Sequence, residues 1–449
     1  MPRIYSGAFL WCAISTEISY NEYMGLFLLL LTNLAFPFAG LGVLLGFLFS
    51  DRRGLLKHLG QEMRERFGLE KKGEIVQNAV WLHCASVGEV LSIRELISQL
   101  KKFYRRDIII TTTTQAGKET ALKNPLIKQA FLVPLDFYPA CRRFIRIAKP
   151  YRLFLVEREI WPNLLEAAHQ SGVPVALING RISQKSTQAY ALVKPLFARV
   201  LNRLAFAALQ TQESAQRYTR LGADPARLFV CGNIKYDTLN DAPSKRSRVD
   251  ELLTALGWNG KPLLVMGSTH PQEETMLLRA LPDFSKKGIK VIFAPRHLER
   301  MAEIRDTLRQ SGFAHAFVSE KNYPKETAVV CADEMGLLNS LYARATLTFV
   351  GGSVVARGAH NLLEPAILSK TVLFGKHFYN TPHTAKALLE NGGGVLVDEY
   401  NFKSSVLRLV EDPAQLENMS GKARQTAESF KGATNRIMEV VQNYERKTT

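Results

Sequence analysis

Metal-binding and redox spacings are missing from this chain. Its five cysteines (Cys12, Cys84, Cys141, Cys231 and Cys331) lie tens of residues apart, with no C-x-x-C pair and an odd total, which argues against a disulfide framework or a zinc ribbon. No D-x-D stretch and no His/Cys cluster at ligand spacing occurs, so neither an essential metal nor a cofactor is expected. There is no G-x-x-x-x-G-K-[ST] and no clean G-x-G-x-x-G after a strand, which argues against a P-loop NTPase and a dinucleotide-binding enzyme. Formal charge is also missing from Met24 to Phe49, a run rich in Leu and Phe that as one helix would measure about 39 Å.

That run predicts a single N-terminal membrane anchor over 24–49, kinked at Asn33 or Pro37, with a buried core helix as the alternative. Glu17 and Glu22 precede it and Arg52, Arg53 and Lys57 follow it, so the positive-inside rule places everything after residue 50 in the cytoplasm. Met24 opens the run, and translation starting there is a further expectation for residues 1–23.

Length and composition fit two or three globular domains: 449 residues, 46% hydrophobic and 22% charged. Charge is uneven, because the formal +17 comes mostly from residues 51–240, with 30 basic against 16 acidic side chains, while 241–449 carries 27 against 23. The first lobe therefore prefers an anionic partner. The basic residues are not interleaved with aromatics, so nucleic acid is not expected.

Short apolar runs alternate with helical patterns from Val80 onward, the pattern of βαβ units on a parallel sheet. Strands are predicted at Ala79–Cys84, Asp107–Thr112, Ala130–Pro134, Arg152–Val156, Pro174–Ile178, Phe206–Leu209 and Leu228–Val230. A second series follows at Leu263–Met266, Lys290–Ala294, Ala328–Val330, Leu347–Val350, Val372–Phe374 and Gly394–Val397. Between the two series lies a polar stretch without apolar period, taken as a linker over 238–250. The expected fold is α/β: two doubly wound Rossmann-like lobes, 51–237 and 251–449, facing a cleft, with the last helix a candidate to cross back to the first lobe.

Candidate site residues sit where strands run out. Ser86, Gly88 and Glu89 open a helix after the first strand, where the helix N-terminus favours a carboxylate; Glu89 is also the residue a capping box on Ser86 requires. Thr113 lies in a threonine run at the next strand tip. Glu157 and Glu159 crowd a turn beside Trp161 and Pro162, as paired carboxylates suited to acid/base work or to hydroxyl binding, or to a salt bridge with Arg158. Arg181 and Lys235 each follow a glycine at a strand end, as ligands for phosphate or carboxylate. In the second lobe Gly267, Ser268 and Thr269 form an anion cradle by geometry, and Arg296 and His297 repeat the pattern. Gly351 and Gly352 make a flexible turn, with Asn361 and Glu364 near a helix start suited to ribose hydroxyls.

As a set these stretches resemble the 3-deoxy-D-manno-octulosonic acid (Kdo) transferase family of lipopolysaccharide synthesis. The matching segments, in family order, are HCASVGEV, TTTTQAGKE, VEREIWPNLL, NGRIS with Lys185 and Ser186, GNIKYD, GSTHPQEE, APRHLER and GGSVVARGAHNLLEPA; departures fall at Arg158, Ala359 and Leu362. The resemblance implies a GT-B glycosyltransferase at the bacterial inner membrane, with catalytic lobes on its cytoplasmic face and anionic lipids of the inner leaflet as partners. It implies lipid A precursor bound by the basic first lobe and CMP-Kdo bound mainly by the second. It further implies inverting transfer without a metal, with Glu89 as the base. Glu157 or Glu159 would then order hydroxyls, Arg181, Lys235, Arg296 and the Gly267–Thr269 loop would meet phosphate and carboxylate charge, and Asn361 and Glu364 would hold ribose. Two rival readings are a GT-B transferase with another nucleotide sugar and lipid acceptor, and a non-catalytic, membrane-anchored nucleotide-binding protein.

Overall fold

Fourteen strands form among the described residues, which in this computed structural model are 22–34, 56–71, 73–239, 245–320 and 323–448. The first seven are β1 (Val80–Cys84), β2 (Ile108–Thr112), β3 (Ile127–Leu132), β4 (Arg152–Val156), β5 (Val175–Gly180), β6 (Leu204–Leu209) and β7 (Leu228–Val230). They make one sheet in the order β3-β2-β1-β4-β5-β6-β7, parallel at every pairing. The rest are β8 (Leu263–Thr269), β9 (Lys290–Pro295), β10 (His315–Phe317), β11 (Val329–Cys331), β12 (Leu347–Val350), β13 (Val372–Phe374) and β14 (Gly394–Leu396). Their sheet, also parallel, runs β10-β11-β9-β8-β12-β13-β14. Every strand expected from the sequence has its counterpart, and β10, three residues at a sheet edge, was not expected.

The mainly apolar character of β1, β2, β4 and β5 follows from burial on both faces, as parallel sheets require. Alternate residues serve opposite cores. Trp81, Ile109, Leu153, Leu155 and Leu177 pack on one side, and Val80, Leu82, Ile110, Phe154 and Ile178 on the other. At about 1.5–3 kcal/mol for each fully buried large apolar side chain, these two layers dominate the stability of the unit. Leu264, Met266, Val291, Phe293, Leu347 and Phe349 form a core of the second sheet in the same manner.

By contacts the chain divides into Met1–Asp237 with Gly432–Thr449, and Thr238–Lys431. The last helix, Ala433–Thr448, belongs to the first unit: Ile437, Met438 and Val441 close the core beside Val80 and Phe154. Asp237 accepts the backbone N–H groups of Gly432 (2.7 Å), Ala433 (3.1 Å) and Thr434 (2.6 Å), capping that helix, and buried Arg152 bonds Glu445 at 2.8 Å near its far end. Of the expected linker, residues 240–244 lie outside the described residues.

The expected anchor is corrected. No helix among the described residues is long and apolar enough to cross a membrane. Residues 22–34 are helical, about 20 Å long, and the helix is tied to the first unit. Leu29 is buried in its core, Glu22 pairs with Arg199 and Arg203, and a side chain at Gly25 would meet the Pro195 carbonyl at 2.7 Å. Asn33 bonds Asn163 at 2.5 Å and takes the Tyr138 N–H at 2.9 Å, while Phe27, Leu30 and Leu34 stay exposed. An uncharged run here marks a helix whose buried side faces protein. The single anchor, the inner-membrane placement with lobes on the cytoplasmic face and the partnership with membrane lipids fall with it. Residues 35–49, the rest of the expected span, and 1–21 lie outside the described residues.

Candidate functional site

Strand order decides which loops become neighbours. In the first sheet β1 lies between β2 and β4, so connections leave it in opposite directions and the carboxyl ends of β1 and β4 open side by side. Beyond β1, Ser86 caps the helix Val87–Ser92 by accepting the Glu89 N–H at 3.4 Å, and Glu89 Oε2 accepts the Ala85 N–H at 2.7 Å. The capping role of Glu89 is therefore real. Its Oε1 makes no hydrogen bond among the described residues. Burial pushes the Glu89 pKa up, with Glu157 and Glu159 adding to the rise and the Ala85 N–H and His83 opposing it.

Glu157 follows β4 directly and is in the left-handed region at φ 62°, costly for a residue with a Cβ. Only 1% exposed, it lies 2.6 Å from Lys235 Nζ and 3.0 Å from Arg181 Nε. Asn179, also left-handed at φ 52°, accepts the Ile234 N–H at 3.1 Å and so holds the Gly232–Asp237 segment that carries Lys235. Glu159 accepts from Trp161 Nε1 at 2.7 Å and meets His83 Nε2 at 3.4 Å. Burial raises its pKa, but the His83 and Trp161 hydrogen bonds and the charges of His83 and Arg158 outweigh that and hold it low. Of the expected residues, Glu89, Glu157, Glu159, Arg181, Lys235 and Ser86 come together at these strand ends. Gly88 lies within the capped turn, and Thr113 joins it through its N–H to the Ala85 carbonyl at 3.3 Å.

His83 was missed as a site residue. It is fully buried, and its Nδ1 lies 3.0 Å from Thr111 Oγ1, which also accepts from Trp81 Nε1 at 2.8 Å. A polar ring inside the otherwise apolar strand VWLHC was the signal. Asn179 carried none, because its left-handed backbone is not visible in composition.

In the second sheet β8 lies between β9 and β12, which sets Gly267–Thr269 beside Gly351 and Gly352. A Cβ at Gly351 would stand 2.2 Å from the Ser268 carbonyl oxygen, so only glycine fits there. Ser268 is itself left-handed, at φ 56°. The polar groups of this cradle are largely used within the protein. Thr269 Oγ1 donates to Glu274 at 3.0 Å, and the Gly352 N–H donates to buried Glu273 at 2.9 Å. Asn361 bonds Glu364 at 3.2 Å; burial raises the Glu364 pKa against that bond and the charge of Arg296.

Arg296 is exposed, and its side chain makes no hydrogen bond or ion pair among the described residues. Near it stands an imidazole group. The rings of His270 and His360 are stacked with centroids 6.0 Å apart and planes 11° apart, and His297, bonded to Glu299 at 3.0 Å, lies 6.0 Å from His270. Burial, then Arg296, His270 and His297, pushes His360 down to about 4; burial, then His297, Arg357 and Arg300, lowers His270. His270 and His360, held below the ordinary imidazole pKa beside guanidinium groups, suit an incoming anion, whose charge would favour protonation. Among the described residues no group of three His, Cys, Asp or Glu side chains could hold a metal ion.

The family model described as 3-deoxy-D-manno-octulosonic-acid transferase (kdotransferase) matches residues 61–238. The chain is similar to 3-deoxy-D-manno-octulosonic acid transferase of Haemophilus influenzae, 30% identical over 393 residues that cover 86% of this chain and 91% of that one. It is similar also to the enzyme of the same description from Chlamydophila psittaci, 30% identical over 358 residues, 78% and 82% of the two chains. Among solved structures, UDP-GlcNAc 2-epimerase from Neisseria meningitidis superposes with a TM-score of 0.56 over 81% of this chain and 100% of its own; at 13% identity that is a likeness of fold.

Proposed function

The chain belongs to the Kdo transferase family and is a GT-B-type nucleotide-sugar transferase, and from that premise we propose that it moves Kdo from CMP-Kdo onto a hydroxyl of the lipid A precursor, lipid IVA, with inversion. One observation carries the reading: three carboxylates at the β1/β4 switch are held by different partners. Glu157 pairs with Arg181 and Lys235, Glu159 is bonded to Trp161 and His83, and Glu89, its pKa pushed up, keeps one oxygen without a hydrogen bond among the described residues.

A carboxylate with raised affinity for a proton is suited to be a general base. In the proposed step Glu89 takes the proton of the acceptor hydroxyl while that oxygen attacks the anomeric carbon of Kdo. The bond from that carbon to the phosphate oxygen breaks, and its electron pair leaves with CMP. Charge developing on the phosphate would be met by Arg296 and the imidazole group, and ribose by Glu364 with Asn361. Arg181 and Lys235 would present positive charge to an anionic acceptor while fixing Glu157.

The test is an assay of the full chain with tetra-acylated lipid A precursor and CMP-Kdo generated in situ, in detergent with excess EDTA, products being followed by mass. Species heavier by one or more Kdo units are expected. Binding of CMP without such a product, or inhibition by UDP in preference to CMP, would overturn the assignment of acceptor or donor respectively.

A further inference from the structure

The glycine turn after β12 is shaped as an anion nest, and the protein has filled it. Glu273, with no exposed surface, accepts four backbone N–H groups: Oε2 takes His270 at 3.1 Å and Gly352 at 2.9 Å, and Oε1 takes Ser353 at 3.1 Å and Val354 at 3.0 Å. Successive N–H groups at such a turn are what a bound phosphate ordinarily meets. Here a carboxylate from the first turn of the helix Pro271–Lys286 stands in that place. Ser353 bolts the turn further, donating to the Val350 carbonyl at 2.6 Å and accepting the Gly375 N–H at 2.8 Å. Burial raises the Glu273 pKa, and the four donors pull it back.

The same carboxylate joins the two segments that carry the stacked rings. His270 is the residue before the helix, and its N–H shares Oε2 with Gly352. His360 rides on the turn: its N–H reaches the Gly351 carbonyl at 3.3 Å, and its Cδ2 lies 3.3 Å from where a Cβ of Gly352 would be. Fixing both backbones through one oxygen fixes the stack.

We propose that Glu273 is a positioning residue, an internal anion that occupies the nest of the glycine turn and holds His270 and His360 in register, and so sets the affinity of this unit for the phosphate of its nucleotide without touching it. The inference rests on the reading that this unit takes CMP-Kdo. It gives the turn a different part in that reading, since the Gly352 N–H serves Glu273.

The experiment compares the full chain with its Glu273→Gln and Glu273→Ala variants, by calorimetric binding of CMP and by KM and kcat for CMP-Kdo, with melting midpoints as the control for folding. Each oxygen accepts two N–H groups, so a glutamine placed either way sets an amide N–H₂ against two donors. Glu273→Gln is therefore expected to weaken CMP binding and to lower kcat/KM for CMP-Kdo, each about tenfold. Glu273→Ala should lose as much, and recover when added formate fills the vacated nest, whereas formate leaves Glu273→Gln unchanged. If Glu273→Gln binds CMP as the parent does, or formate fails to restore CMP binding to Glu273→Ala, the proposal is overturned. If both variants fail to fold, Glu273→Asp carries the test: it keeps the charge and loses reach, and unchanged CMP binding overturns the proposal. A parent chain that does not bind CMP at all would remove the nucleotide reading itself, a result distinct from each of these.

Discussion

Glu89 is given two tasks by the geometry, and substitution separates them. As a cap it accepts one N–H, that of Ala85, at 2.7 Å. Glu89→Gln retains an acceptor oxygen for that bond, while Glu89→Ala removes it, at a cost of about 1 kcal/mol. As a general base it supplies about 10²–10⁴ in rate, equivalent to roughly 3–5 kcal/mol of barrier. The two effects differ in size and also in kind. Against a typical stability of about 5–15 kcal/mol, losing the cap barely changes the folded fraction, so it cannot imitate a hundredfold loss of turnover. The expected outcome is that Glu89→Gln melts as the parent does and turns over at least about a hundredfold more slowly with both substrates saturating. The pH profile adds a second reading. A base works in its ionised form, so kcat falls as pH drops through its pKa. Because burial and the neighbouring carboxylates raise that pKa above 4.5, the acid limb should lie above the ordinary glutamate range. Near-parental kcat for Glu89→Gln, in an assay with saturating CMP-Kdo and acceptor, would reduce Glu89 to a cap and refute the assignment.

Other consequences concern charge held inside the protein. Glu70 is 5% exposed with both oxygens buried, and burial, opposed by its own backbone N–H and joined by nearby charges of both signs, leaves its pKa at about 7 against 4.5 in an open chain. The folded state therefore binds more protons than the unfolded one between these values, and stability falls as pH rises from about 4.5 to about 7. Glu70→Gln should remove that loss and be more stable than the parent above pH 7 by up to about 3 kcal/mol; urea midpoints at pH 5 and pH 8 with an equal mutant-to-parent gap would contradict this. Arg181→Ala and Lys235→Met should each cost about 1 kcal/mol, since both cations are partly solvated and one remains to serve Glu157. The double variant leaves Glu157 buried alone and should lose clearly more than the sum, so additivity in a double-mutant cycle would count against the shared pairing. His360, pushed down to about 4, should stay neutral at pH 6 in the ligand-free protein and titrate higher with CMP bound. Imidazole NMR shifts follow both, and a ligand-free midpoint near 6.5 would contradict the described environment.

The parts of the fold that were legible follow local rules. Short, mostly apolar strands followed two residues on by Ser or Thr mark β1, β2 and β6, because a parallel strand is buried on both faces and the helix that follows needs a cap, as Ser86, Thr114 and Thr211 provide. Glu89, Glu157 and Glu159 could be named from sequence because strand tips gather side chains in a predictable place. Glu273 could not, although it stands in a motif, because three of its four partners lie 79 to 81 residues further on and only the fold pairs them. The first helix was misread for a related reason. Hydropathy reports that Leu29 avoids water but not what it packs against, and the informative residues were the interruptions: Asn33, with two partners in the first unit, and Gly25, small where Pro195 approaches.

The capping of the final helix by Asp237 has a consequence for synthesis. The stretch 238–431 is inserted within the first unit, whose closing piece, 432–449, leaves the ribosome only after that stretch has been made. At about 5–20 residues per second, roughly 10–40 s separate Asp237 from the segment that it caps. Throughout that interval the face of the first sheet bearing Val80, Leu82 and Phe154 waits without Ile437, Met438 and Val441. A stop codon after Lys431 would spare every residue of the second unit and would nevertheless strike the first, leaving its sheet open to whatever apolar surface it met.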